Sequence, residues 1–128
     1  MKIIVAGTRT FQDYDLLNKK MHEITAYQYA VTEIVSGCSA GADTLGAYWA
    51  QVNNIPVKFF QADWESLGRK AGPIRNSEMA EYADVLIAFW DGESRGTLDT
   101  ITKMKALQKP VIVIEYKETE LELEEDEA

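Results

Sequence analysis

The sequence predicts an α/β fold, a three-layer sandwich in which helices cover both faces of a parallel sheet of about five strands. Short apolar runs alternate with longer amphipathic stretches as far as residue 114, which is the order that builds such a sheet. The runs are apolar throughout, as in strands that are buried on both faces. A chain of 128 residues is long enough for one domain with a substantial core.

The local sequence places each element in turn. Strands are predicted at residues 2–6, 32–36, 55–60, 84–89 and 111–114, and helices at about 13–27, 43–52, 73–82 and 97–107. Asp13 or Asp15 can cap the first helix. Pro56 stands at the start of its strand, where a missing N–H is tolerated. Residues 61–72 are predicted to form a loop, after which Pro73 fits the first helical turn.

Acidic residues are concentrated at the end of the chain. Eight of them and one lysine lie in residues 115–128, which gives that segment a net charge of −7 out of −8 for the whole chain. We therefore divide the chain into a domain, residues 1–114, and an acidic tail, residues 115–128. The tail is expected to be disordered because it can bury little apolar surface. The acidic balance argues against direct binding of DNA or an anionic membrane.

The rare residue types limit location and metal content. One cysteine, Cys38, rules out an internal disulfide and fits a reducing cytoplasm. No apolar run approaches the roughly 20 residues of a membrane-spanning helix, and the apolar start is too short for a signal peptide. With His22 as the only histidine, a transition-metal site is not expected, whereas Mg²⁺ carried by a bound diphosphate stays open. We interpret Cys38 as a small buried residue and His22 as a surface residue.

A loop of small residues, 36–44, joins the second strand to the second helix and indicates an anion site. Gly37 and Gly41 allow the backbone to come close to a ligand, with Ser39 between them. The first turn of the following helix offers unpaired N–H groups to a phosphate, and Asp43 or Thr44 can cap that helix. The loop matches neither the dinucleotide fingerprint nor the P-loop. A tight turn without a ligand is therefore the alternative.

Two further loops leave the same edge of the predicted sheet, where α/β sheets bind ligands. Arg9 lies two residues past Gly7 and can bind a phosphate or carboxylate as a bidentate donor. After the fourth strand, Ser94 opens a helix whose N–H groups and Thr97 hydroxyl would form a second anion-binding nest with Gly96. A surface position is the alternative for Arg9.

The loop after the third strand adds cations and an aromatic ring. Arg69, Lys70 and Arg75 lie near a helix N-terminus and oppose its dipole, so a bound polyanion would compensate them; a solvated face is the alternative. Trp64 could stack on a base and Asp63 could bind ribose hydroxyls. Packing in the core or a dimer interface is the alternative for the tryptophan.

Together these residues match the pattern of a known family. The matching stretches are Gly7-Thr8-Arg9-x-Phe11, Ser36-Gly37-x-x-x-Gly41-x-Asp43, Ala62-Asp63-Trp64, Gly68-x-x-Ala71-Gly72-x-x-Arg75-Asn76-x-x-Met79 and Gly96-Thr97. Over residues 1 to about 114 the chain resembles the YspA-like branch of the SLOG superfamily. That superfamily is Rossmann-like and includes the LOG-type phosphoribohydrolases and the DNA-processing protein DprA. The resemblance implies a site for a nucleotide or an NAD-derived ligand such as ADP-ribose, and a homo-oligomer.

The resemblance to the LOG enzymes is only partial at their catalytic motif, Pro-Gly-Gly-x-Gly-Thr-x-x-Glu. Gly96-Thr97 matches Gly-Thr, but the glutamate position falls on Thr100. Asp99 is one residue early, which is a rotation of about 100° on a helix. The arginine–lysine pair of the LOG enzymes matches Arg75-Asn76, so only the arginine is kept. The resemblance is fuller in the phosphate-binding half of the site than in the acid–base half, which shifts the prediction from a phosphoribohydrolase toward a binding protein.

We therefore predict a cytoplasmic protein that binds a nucleotide or an NAD- or ADP-ribose-derived ligand at the carboxyl edge of the sheet, as a sensor or a sequestering protein. The predicted ligand-binding residues are Gly7, Thr8, Arg9, Gly37, Ser39, Gly41, Asp43, Asp63, Trp64, Arg69, Arg75, Asn76, Ser94, Gly96 and Thr97. One alternative is a nucleotide hydrolase that cleaves an N-glycosidic or phosphoester bond, with Asp43, Asp63, Asp91 or Glu93 as the catalytic carboxylate. The other is a DprA-like nucleic-acid-associated or protein-interaction module.

Overall fold

A computed structural model describes residues 1–117 and contains one parallel sheet. The strands are β1 (Lys2–Gly7), β2 (Glu33–Ser36), β3 (Val57–Phe59), β4 (Val85–Trp90) and β5 (Val111–Glu115), and the helices are α1 (Tyr14–Tyr27), α2 (Ala42–Val52), α3 (Trp64–Leu67), α4 (Ala71–Tyr82) and α5 (Arg95–Ala106). The strand order is β3-β2-β1-β4-β5, and each neighbouring pair is parallel. The predicted α/β fold with a five-stranded parallel sheet is confirmed.

Two apolar cores, one on each face of the sheet, make the three layers. Ile3 and Val5 of β1 point to the core that contains Leu17 of α1 and Trp49 of α2. Residues of β1 between and beyond them point to the opposite core, which contains residues of α4 and α5 such as Met104. Successive strand residues alternate between the faces, so a strand covered on both sides must be apolar at every position.

The order of the strands fixes where a crevice can form. From β1 the chain moves outward to β2 and β3, then returns to β4 on the other side of β1. The loops that follow β1 and β4 therefore leave the sheet in opposite directions, and ligands bind at such a switch point in open α/β sheets. Gly7, the last residue of β1, lies beside Phe89 of β4 in the register of the sheet.

One helix lies within the segment that the sequence predicts as a loop. Residues 64–67 form the short helix α3, and a 3₁₀ turn, Gly68–Lys70, leads from it into α4. The Asp63 side chain caps α3 by accepting a hydrogen bond from the N–H of Ser66 at 3.2 Å. A four-residue helix is too short to show apolar periodicity, which is why the pattern missed it. Because the turn leads directly into α4, that helix begins at Ala71, two residues before the predicted start at Pro73.

The cap of α2 differs from the prediction. Gly41 is the N-cap residue, with φ +77° and ψ −125°, so Asp43 and Thr44 both lie inside the first turn. The Thr44 hydroxyl instead donates to the carbonyl of Ser39 at 2.9 Å. Asp13 caps α1, as one of the two predicted candidates, by accepting from the N–H of Leu16 at 3.0 Å.

Packing continues past the predicted end of the domain. Strand β5 ends at Glu115, and the ring of Tyr116 contacts that of Phe11, with centroids 4.8 Å apart. The remainder of the predicted acidic tail, residues 118–128, lies outside the described residues. No helix within residues 1–117 has the length and apolar character needed to cross a membrane.

Candidate functional site

A cleft opens at the carboxyl edge of the sheet, at the switch point between β1 and β4. Its first lobe has a volume of about 270 Å³, and a second lobe of about 250 Å³ adjoins it. Three residues line both lobes: Arg9 after β1, Ser39 after β2, and Arg75 in α4. The two lobes thus adjoin along these three residues, two of which are arginines.

Most of the residues predicted for the site line this cleft. The first lobe is bordered by Gly7, Thr8, Arg9, Ser39, Asp43, Arg75, Asn76, Ser94, Gly96 and Thr97. The second lobe adds Gly37 and Trp64. Five other candidates line neither lobe: Gly41, Asp63, Arg69, Asp91 and Glu93. The four loops that the sequence places at one edge therefore converge, although not all of their polar residues do.

Asp43 is the buried carboxylate of the first lobe. Only 5% of the residue is exposed, and its Oδ2 accepts a hydrogen bond from the N–H of Ser39 at 3.3 Å. Burial raises the pKa of Asp43 to about 6; the N–H groups of Ser39, Gly7 and Gly37 and the charge of Arg75 act in the opposite direction but do not cancel it. Two backbone donors of the loop at residues 36–44, the N–H groups of Gly37 and Ser39, are therefore directed at an anion that belongs to the protein.

Arg75 joins the two sides of the cleft through a chain of hydrogen bonds. Its Nη1 donates to the carbonyl of Gly37, and its Nε donates to Oδ1 of Asn76 at 2.9 Å. Asn76, 5% exposed, in turn donates to Asp99 at 3.0 Å, and Lys103 donates to the same carboxylate oxygen at 2.8 Å. The bonds to Gly37 and Asn76 fix the orientation of the guanidinium. No hydrogen bond within residues 1–117 uses its Nη2 group.

The start of α5 borders the first lobe. Ser94 is the N-cap, and its side chain accepts from the N–H of Thr97 at 3.4 Å and from the Thr97 hydroxyl at 3.1 Å. A Cβ added to Gly96 would meet no heavy atom within 4 Å. The first turn of α5 thus faces open space, which leaves room for a ligand to approach its backbone.

Asp91 and Glu93 shape the loop before α5. The carboxylate of Asp91 accepts from the N–H groups of Glu93 at 2.8 Å and Ser94 at 2.9 Å, and these bonds lower its pKa. The buried Thr8 hydroxyl accepts from the N–H of Asp91 at 3.1 Å. Asp91 therefore holds the loop against the end of β1, and Glu93 is exposed.

Two residues near the cleft differ from the sequence interpretation. Cys38 is exposed, not buried, and has a positive φ of 66°. Neighbouring atoms nevertheless exclude some water from the thiol, and this partial desolvation, together with the charge of Asp43, raises the pKa of Cys38 and disfavours the thiolate. His22 lies on the surface of α1, as expected, and its ring contacts Trp49 edge to face.

Comparison with known proteins decides the family. The model of the YspA, cpYpsA-related SLOG family (YAcAr) matches residues 1–66, just over half of the chain. The "Gene 61 protein" of Mycobacterium phage D29 is 33% identical over 121 residues, which cover 87% of this chain and 94% of that protein. The chain belongs to the YspA-related SLOG family. The family resemblance read from the sequence motifs is thereby confirmed.

A solved structure shares the fold of this SLOG protein. The DNA processing protein A (DprA) of Streptococcus pneumoniae superposes with a TM-score of 0.73 at 17% sequence identity. The match covers 99% of this chain and 56% of DprA, so the chain spans little more than half the length of that protein. At this identity the likeness is one of fold, and it supports the Rossmann-like description.

Two residues of α5, Thr100 and Asp99, lie where the sequence departs from the LOG motif. Thr100, at the position of their glutamate, is 2% exposed, borders the first lobe and donates to the carbonyl of Gly96 at 3.3 Å. Asp99 does not line the cleft and is held by Lys103 and Asn76. Asp99 is therefore held outside both lobes, and Thr100 is the residue of this pair that borders the cleft.

Sequence reasoning did not single out several lining residues as ligand contacts. They are Ala6, Thr10, Met79 and Thr100 in the first lobe and Cys38, Ala40, Gln61 and Ala62 in the second. Most are small or apolar and carry no motif of their own. They lie one or two residues from a motif residue at a strand end, or one turn from one on a helix. That proximity is the signal that could have identified them.

Proposed function

We propose that the two-lobed cleft binds a nucleotide or an NAD- or ADP-ribose-derived phosphate ligand, and that the protein acts as a sensor or sequesters that molecule. The observation that supports this most is the pair of guanidinium groups, Arg9 and Arg75, which line both lobes. Arg75 is held in a fixed orientation by its bonds to Gly37 and Asn76, and no bond within residues 1–117 uses its Nη2 group, which leaves N–H donors for a phosphate oxygen. Arg9 forms no hydrogen bond or ion pair with residues 1–117.

The proposed roles follow from which donors remain available. Because Asp43 already accepts from the loop at residues 36–44, the arginine pair and the open first turn of α5 are assigned to the phosphates. Ser94, Gly96 and Thr97 border the lobe at that turn. When Asp43 is ionised, the two arginines still leave the lining of the first lobe with a positive charge, which favours an anion.

The test is a thermal-shift screen of the full chain against AMP, ADP, ADP-ribose, NAD and ribose 5-phosphate, with each ligand recovered for chromatography. A bound ligand raises Tm by mass action. Arg75→Ala is expected to abolish the shift, and Arg69→Ala, on the exposed 3₁₀ turn outside the cleft, is the matched control and is expected to keep it. No shift with any of these ligands overturns the proposal.

A nucleotide hydrolase is the second candidate, and one observation favours it. Asp43 lines the first lobe, and its pKa of about 6 lies near the operating range of a general acid or base. Ligand returned as free base or free phosphate, with turnover lost in Asp43→Asn, would establish this candidate. Ligand returned intact supports the binding protein.

The donor set within residues 1–117 does not form a metal site made of protein ligands alone. Within residues 1–117, no three His, Cys, Asp or Glu side chains come together in a way that could hold a metal ion. The proposal therefore includes no step through a metal. Ligand binding is expected to be unchanged by EDTA, and a requirement for Mg²⁺ would mean that the ligand's own phosphates supply its coordination.

Self-association and association with nucleic acid are the two partner interactions that the sequence suggests, and both are proposals. Self-association would use exposed apolar side chains on the α4–α5 face, such as Ile74 and Leu98, and sedimentation velocity at two concentrations tests it. A DprA-like association with nucleic acid is tested by binding of single-stranded DNA at increasing salt, since a phosphate-driven contact weakens steeply.

A further inference from the structure

We propose that the second lobe is a base-binding subsite with Trp64 as its stacking surface, so that the cleft takes a diphosphate with an organic group at each end. This inference rests on the proposed function and names its ligand class. The phosphates lie at Arg9 and Arg75, between the lobes. A base lies against Trp64, and a sugar occupies the first lobe.

The volumes of the two lobes favour a ligand that spans both. Each lobe, about 270 and 250 Å³, is smaller than the roughly 300 Å³ at which ligand pockets for drug-sized molecules begin. The two together exceed that limit. A small sugar phosphate would fill one lobe and leave the other to water, whereas a ligand with two organic ends would use both.

The lining chemistry of the lobes differs in a way that matches two different ends. Hydroxyl groups of Thr8, Thr97 and Thr100 border the first lobe, where sugar hydroxyls need hydrogen-bond partners. The second lobe has Trp64 and the small residues Ala40 and Ala62, and its charged groups are the two shared arginines. Gln61 also borders it, and a carboxamide can both donate to and accept from the edge of a base.

Trp64 is exposed and yet held in place. The residue is 52% exposed, while the edge of its six-membered ring lies over α4, where a Cβ added to Gly72 would be 3.1 Å from Cη2. The cap by Asp63 fixes the start of the helix that carries it. A large aromatic side chain that is anchored at one edge and open to solvent at a cleft is suited to stacking.

The experiment compares three ligands on the full chain by isothermal titration calorimetry: ADP-ribose, AMP and ribose 5-phosphate. ADP-ribose is expected to bind at least about tenfold more tightly than AMP, because only it occupies both lobes. Trp64→Ala is expected to weaken the binding of ADP-ribose and AMP by about tenfold or more, the usual range for loss of base stacking. The affinity for ribose 5-phosphate should not change. Trp64→Phe should retain most of the affinity. Leu67→Ala is the control, since Leu67 is exposed on the same short helix and lines neither lobe.

The outcomes separate this inference from the proposed function. Binding of all three ligands with equal affinity, unchanged in Trp64→Ala, overturns the subsite and leaves the phosphate site standing. If Trp64→Ala weakens the binding of ribose 5-phosphate as much as that of ADP-ribose and AMP, the subsite is also overturned. The side chain would then support the fold of the cleft and would not stack on a base. No binding of any ligand overturns both. Preservation of the Trp64→Phe complex together with a base-dependent loss in Trp64→Ala supports it.

Discussion

The buried carboxylate of Asp43 accepts a hydrogen bond from the backbone N–H of Ser39, four residues earlier in the chain. The small residues between β2 and α2 therefore wrap around an internal anion. A loop with this composition is typical of phosphate binding, and here the N–H groups of Gly37 and Ser39 already bind the Asp43 carboxylate. The groups proposed to bind the ligand's phosphates are therefore Arg9, Arg75 and the start of α5.

Asp43 is expected to make stability depend on pH. Its pKa is raised from 3.8 to about 6 on folding, so between these values the folded state binds the proton more tightly than the unfolded state. The contribution of Asp43 to the free energy of unfolding is therefore fully present below pH 3.8. It is lost as pH rises to about 6, a decrease of roughly 3 kcal/mol. Urea unfolding between pH 4 and 7 should show this loss in the wild type and not in Asp43→Asn. Parallel curves for the two proteins would contradict the burial of the charge.

Arg75 is expected to hold the pKa of Asp43 down from a still higher value, because its positive charge favours the carboxylate. In Arg75→Met the pKa of Asp43, followed by ¹³C NMR of its carboxyl carbon, should rise further. Arg9→Met is the control, since Arg9 lines the same cleft but is not among the causes of the Asp43 shift. An unchanged Asp43 titration in Arg75→Met would refute the coupling.

Gly41 is expected to be the costliest glycine among three to replace with alanine. Gly41 and Gly68 share a backbone conformation, with φ +77° and +58° and ψ −125° and −134°, so each alanine pays about 1–3 kcal/mol of strain. A Cβ at Gly41 would also collide with the carbonyls of Thr8 and Arg9, whereas one at Gly68 meets nothing within 4 Å. Chemical denaturation should therefore order the losses Gly41→Ala above Gly68→Ala. Gly96→Ala, helical and unobstructed, should be neutral or stabilising by up to about 1 kcal/mol.

Asp91 is expected to contribute stability and not catalysis. Asp91→Ala leaves two N–H donors of the loop before α5 without their acceptor, at a cost of about 1–2 kcal/mol at pH 7. Because the pKa of Asp91 is lowered from 3.8 on folding, this contribution is present above that value and is lost as pH falls through the folded pKa. Glu93→Ala should change the free energy of unfolding by less than about 0.5 kcal/mol, as at other exposed positions. Equal effects of the two changes would disprove the assigned role.

The sequence by itself determined the fold and the edge of the sheet at which the candidate site lies. Apolar strands alternating with amphipathic helices leave few arrangements, because a strand that is apolar at every position must be covered on both faces. The loops that carry Arg9, Ser39 and Ser94, and the segment after β3 that leads to Arg75 in α4, then have to meet at one edge, since parallel strands all end there.

The tertiary structure decided which side chains face the cleft and which serve the fold. The sequence makes Asp63 a candidate ligand residue and Asp91 a candidate catalytic carboxylate, yet each side chain accepts hydrogen bonding from nearby backbone N–H groups. Asp43, by contrast, is buried, and its altered pKa depends on neighbours from three separate stretches of chain. Spacing along a sequence gives the element and the edge, but the distance between atoms on different elements, and the water excluded between them, exists only once the chain has folded.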